Sequence, residues 1–106
     1  MAQELTAHTF DTVVKNGGKP VVVDFYAEWC GPCQQMAPAF DELSKELAAT
    51  HALVKINIDD ERSLAIAYGI TAIPTLVFFK DGVKVASESG YHSKSELLTK
   101  IKKHLG

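Results

Sequence analysis

Val21-Val22-Val23-Asp24-Phe25-Tyr26-Ala27-Glu28-Trp29-Cys30-Gly31-Pro32-Cys33 joins an apolar, β-branched run to two cysteines three positions apart. Pro20–Ala27 is rich in β-branched and aromatic residues, which predicts a buried strand. From about Pro32 to Ala49, the residues Met36, Phe40, Leu43 and Leu47 recur at helical spacing. Pro38 falls inside that helix and is expected to kink it, because it removes a backbone donor and crowds the preceding turn. Cys30 therefore stands where a strand hands over to a helix, and Cys33 lies in the helix's first turn.

Working outward, Thr9–Asn16 reads as a short helix capped by Thr9, with Phe10, Val13 and Val14 on one face and Gly17-Gly18 ending it. Ala52–Ile58 reads as a second core strand, and Ser63–Tyr68 as a short helix closed by Gly69. Thr75–Phe79 and Val83–Ser87 flank Lys80-Asp81-Gly82, a strong hairpin signal. The last helix opens at Ser93, where Glu96 completes a capping box, and Leu97, Leu98, Ile101 and Leu105 form its inner face. Strands alternating with helices, closed by a hairpin, predict an α/β fold with a central mixed sheet flanked by helices on both faces. A chain of 106 residues suits one domain, 1–106.

A net charge of -2 gives no electrostatic reason to expect nucleic acid or an anionic membrane as partner. The longest apolar runs fall far short of a bilayer span. Met1-Ala2-Gln3-Glu4 lacks the basic and apolar regions of a secretory signal, so the expected compartment is the cytoplasm.

The two cysteines are poorly placed as a structural staple, since a bridge over so short a loop hardly constrains the unfolded chain. Thiol chemistry fits the junction better. Unpaired amides at a helix start carry partial positive charge, which stabilises a thiolate at Cys30. Pro32 suits the first helical position. Three residues of separation within a helical turn bring the two sulfurs into bonding reach. Half of a zinc site competes with this reading, but zinc takes four ligands, no further cysteine exists, and His8, His51, His92 and His104 are scattered. A pair of inert core thiols also competes, and the helix-start setting argues against it.

The same stretch resembles the active-site strand and loop of the thioredoxin family. So do Lys55-Ile56-Asn57-Ile58-Asp59, Tyr68-Gly69-Ile70, Ile73-Pro74-Thr75-Leu76, Phe79-Lys80-Asp81-Gly82 and Gly90, in the family's order from about Phe10 to Leu105. The resemblance implies a general protein-disulfide reductase. Cys30 would be the attacking thiolate, open to solvent, and Cys33 the thiol that resolves the mixed disulfide. Asp24 is odd in a core strand, either on a solvated face or buried at a cost; by the resemblance it would lie beneath the cysteines and take the proton of Cys33. Burial would raise its pKa toward neutrality for that task. Lys55 would lie near Asp24, with Trp29, Gly31 and Pro32 completing the loop. Ile73-Pro74 would be cis, leaving the Ile73 backbone free to pair with an extended substrate. Trp29, Gly31, Ile73, Pro74, Gly90 and Tyr91 would form an apolar contact surface around the cysteines.

By the same resemblance the partners are disulfide-bearing proteins and a thioredoxin reductase, an NADPH-dependent flavoenzyme, while the chain itself is a monomer holding no cofactor or metal. Gln34, Tyr26 and Tyr91 depart from the family's usual residues, which bears on substrate range and reductase fit. A specialised redox donor and a non-catalytic docking subunit using the same surface are the rival readings. Asp59-Asp60-Glu61 is expected only to favour the following helix start, and Lys100, Lys102 and Lys103 are expected to be solvated.

Overall fold

Six consecutive residues, Val21–Tyr26, form the central strand β2, and five of them are buried on both sides. The computed structural model describes residues 2–106. Around β2 lie β1 (Gln3–Glu4), β3 (Ala52–Asn57), β4 (Thr75–Lys80) and β5 (Val83–Ser89), in the order β1-β3-β2-β4-β5. β1 and β2 run parallel to β3, whereas β4 is antiparallel to both β2 and β5. The sheet is thus mixed, as the alternation of strands and helices predicts.

Side-chain alternation along the strands divides the core in two. Val22, Leu53, Leu76 and Phe78 meet Met36, Phe40 and Leu43 of α2 (Gly31–Glu46) and Leu97, Ile101 and Leu105 of α4 (Lys94–Leu105). Val21, Val23, Phe25, Val54, Ile56, Val77 and Phe79 meet Phe10 and Val14 on the other face, with Leu64 of α3 (Arg62–Ala67) against them. Helices thereby cover both faces. The hairpin joining β4 to β5 turns on Asp81 and Gly82, both at positive φ, the conformation that favours an Asp-Gly pair.

The structure departs from the sequence reading at several places. β1 is an additional edge strand of two exposed residues, too short to show any hydrophobic period. The first helix begins earlier, as α1 (Ala7–Phe10), and continues into a wider-wound turn, Asp11–Lys15, closed by the Asn16 amide donating to the Asp11 carbonyl. Thr6 holds the N-cap position there; Thr9 sits inside the helix, its hydroxyl accepting from the Thr6 amide at 2.9 Å. α2 continues through Pro38 and ends at Glu46 rather than near Ala49. Ser93 caps α4 as expected, donating its amide to Glu96 Oε1 at 2.8 Å. Lys100 is not freely solvated but pairs with Glu88 at 3.5 Å.

Candidate active site

Cys30 is the residue at which β2's chain turns into α2. It keeps an extended backbone, φ −86° and ψ 112°, so the helix starts just after it. Its sulfur takes the part a serine or aspartate oxygen plays at other helix starts: the Cys33 amide donates to Cys30 Sγ at 3.2 Å. Pro32 occupies the second helical position rather than the first, still in the turn where a missing N–H costs no intrahelical hydrogen bond. Cys30 and Cys33 are joined as a disulfide with their Cα atoms 5.2 Å apart. The bonded pair packs on Ala27, Tyr26, Ile58 and Ile73. Cys30 is only 5% exposed and Cys33 3%, so the opening onto the first sulfur is narrower than the sequence reading implies.

Asp24 is fully buried and neither carboxyl oxygen has a hydrogen-bond partner. Burial pushes its pKa from 3.8 up to about 7, against the pull of Lys55 and with help from Glu4 and Asp41. Lys55 stands opposite Asp24 in the β2–β3 register. Its ammonium does not pair with the carboxylate; it sits 4.5 Å from the centroid of the Tyr26 ring. The Tyr26 hydroxyl donates to Glu4 Oε1. Burial, reinforced by that carboxylate, drives the phenol well above its ordinary range and keeps it a donor.

On the other side of the cysteines, the Ile73–Pro74 peptide is cis. Neither the amide nor the carbonyl of Ile73 is taken by another described residue. Gly90, at φ 91°, donates its amide to the Pro74 carbonyl at 2.8 Å. Trp29 is 70% exposed, and its indole N–H donates to Asp59 Oδ2 at 2.8 Å. Trp29, Ile58, Ile70, Thr71, Ala72 and Ile73 line a cleft of about 140 Å³. Tyr91 does not line it. Its ring borders a separate cavity of about 450 Å³ with Ser89, His92 and Ser95. Gln34, where the family commonly has a cation, donates to the Glu28 carbonyl.

Three residues near the site escape sequence reasoning. Asp59 anchors the exposed tryptophan, a part beyond favouring a helix start, while Glu61 of the same run holds the N-cap of α3. Glu4 and Asp41 act on Asp24 from β1 and α2. Only the carboxylate run at Asp59 left a trace in the sequence, and it pointed elsewhere. Among the described residues no group of His, Cys, Asp and Glu could hold a metal ion, and no helix is long and apolar enough to cross a membrane.

Two sulfurs that bond and part across one helical turn make a two-electron couple, and the class so defined is that of thiol–disulfide oxidoreductases. A family model described as Thioredoxin matches residues 1–103. The chain is 41% identical to the thioredoxin of Rickettsia felis over 105 residues, covering 99% of this chain and 100% of the relative. It is 42% identical over 105 residues to thioredoxin 1 of Synechococcus elongatus, covering 99% and 98%. Against the thioredoxin of Haemophilus influenzae it is 41% identical over 96 residues, covering 91% and 90%. The chain belongs to the thioredoxin family. It is a protein-disulfide reductase working through the Cys30–Cys33 pair, and the docking-subunit reading is not favoured. Membership implies disulfide-bearing protein substrates and a reductase that restores the dithiol.

Proposed function

We propose that Cys30 attacks the substrate, Cys33 resolves the intermediate and Asp24 accepts the Cys33 proton. The Cys30 thiolate attacks one sulfur of a substrate disulfide, forming a mixed disulfide and releasing the other sulfur as a thiolate. Cys33 then gives its proton to Asp24 and, as a thiolate, attacks Cys30 Sγ. The mixed bond breaks, the second substrate sulfur leaves with its electron pair, and the chain retains the Cys30–Cys33 disulfide. Two electrons pass to the substrate in each cycle.

The observation that carries this reading is the amide of Cys33 directed at Cys30 Sγ from the start of α2. A donor there favours the negatively charged sulfur that attack requires. The buried, unpartnered carboxyl of Asp24 supports its role, because an acceptor with a pKa of about 7 works near neutral pH. The unclaimed backbone of Ile73 supports strand-like pairing with an extended substrate, and the family resemblance adds Trp29, Gly31, Pro74 and Gly90 to that contact surface. Lys55 supports Asp24 by its charge, and Tyr91 meets substrate at the margin of the neighbouring cavity.

The finer setting we propose is a monomeric, cytoplasmic, single-domain carrier, 1–106, recharged by an NADPH-dependent flavin thioredoxin reductase. It holds no cofactor and needs neither nucleic acid nor membrane. Insulin reduction tests the core of this. The chain should speed precipitation of the insulin B chain when supplied with NADPH and such a reductase; no acceleration over the reductase alone would sink the proposal.

A further inference from the structure

We propose that Glu4 is a positioning residue for the resolving half of the reaction: its carboxylate ties down Tyr26, whose ring seats the Lys55 ammonium beside Asp24. The inference rests on Asp24 being the acceptor for the Cys33 proton.

β1 is only two residues long, yet its register is informative. Glu4 pairs with Lys55, and Lys55 pairs with Asp24, so three charged residues stand in a row across three parallel strands. Directly paired residues point to one side of a sheet, and Tyr26, two positions beyond Asp24, shares that side. The row is closed by the Tyr26 hydroxyl donating to Glu4 and by Lys55 Nζ lying 4.5 Å from the Tyr26 ring centroid. That distance is within the range of a cation–π contact. Among the described residues, Lys55 has no carboxylate within ion-pairing distance, so the Tyr26 ring is the one fixed seat for its flexible stem.

The charged groups acting on Asp24 are Lys55 from β3, Glu4 from β1 and Asp41 from α2. β4 offers Leu76 at the paired position, and α4 turns Leu97 and Ile101 toward this face. Lys55 is the lone cation of the set. Glu4 therefore acts twice, in opposite senses. Its charge resists ionisation of Asp24, while its hold on Tyr26 keeps in place the cation that favours ionisation.

Two substitutions separate these effects. Glu4→Gln removes the charge and keeps an oxygen that accepts from Tyr26; Glu4→Ala removes both. The probe is carbon-13 NMR of the Asp24 carboxyl in the oxidised protein between pH 4 and 10. The Glu4→Gln midpoint should fall below the unsubstituted one by roughly half a unit, the usual size for one neighbouring charge. The Glu4→Ala midpoint should lie measurably above that of Glu4→Gln, and this gap should close in a Lys55→Met background. A purely structural Glu4 would lower the unfolding temperature and leave the midpoints alike. Coincident midpoints for Gln and Ala, or a gap that persists without Lys55, would overturn the proposal. Asp24 titration reads this separately from catalysis: if Asp24→Asn leaves the resolving step untouched, the acceptor role fails while the Glu4 result stands on its own.

Discussion

Lys55 faces Asp24 across the β2–β3 ladder, yet its ammonium lies over the Tyr26 ring and both Asp24 oxygens go without a hydrogen bond. The carboxyl is thus close enough to feel the cation and too far to be neutralised by it. Desolvation wins, and the pKa settles at about 7. Near neutral pH the site is divided between its acid and its base.

Stability follows from that balance. The folded pKa of Asp24 lies above the unfolded value of 3.8, so the native state binds the proton more tightly. Below about pH 4 both states are protonated and the residue is neutral in its effect. As pH rises from there to about 7, the unfolded chain ionises first and native stability is lost; above 7 the loss is complete. Asp24→Asn should therefore stabilise the oxidised protein at pH 8 by roughly 3–4 kcal/mol and hardly at all at pH 4. Urea denaturation at the two pH values measures it.

The same substitution should harm the chemistry. Without a proton acceptor, release of the second substrate thiol should slow by on the order of 10²-fold near pH 7 and recover as pH rises toward the thiol's own ionisation. Stopped-flow with an aromatic disulfide resolves the step. A pH profile identical to that of the unsubstituted chain would remove Asp24 from the mechanism.

Cys33→Ser should stop the cycle at its midpoint. In a cell extract the variant should accumulate protein adducts through Cys30 that dithiothreitol releases, visible on non-reducing gels. Cys30→Ser should accumulate far fewer. Equal trapping by both variants would mean the two sulfurs have no division of labour.

Trp29→Ala removes an exposed ring, and exposed substitutions change stability little. It should raise KM for insulin several-fold while leaving reduction of a small aromatic disulfide nearly unchanged. Asp59→Asn, which weakens the acceptor for the indole N–H, should shift KM in the same direction by a smaller factor. Equal losses toward both substrates would place the ring's role in the chemistry instead of docking.

The legible parts of this fold are those in which one side of an element is dry. α2 and α4 announce themselves because their buried residues repeat at the helix period, and β2 because its β-branched and aromatic residues run unbroken through the core. β1 does not, since its two exposed residues carry no period and are ordered by what β3 offers them. The cysteine junction was readable because its chemistry is local, contained in four residues. The contacts of Trp29 with Asp59 and of Tyr26 with Glu4 span 30 and 22 residues, and no local pattern encodes them.

Because Cys30 doubles as the cap of its helix, evolution can switch this protein off without dismantling it. A serine hydroxyl is among the best caps known, so a single-atom exchange of sulfur for oxygen keeps the α2 start in order while abolishing redox activity. Any redox-silent descendant would inherit an intact scaffold, ready for a second career.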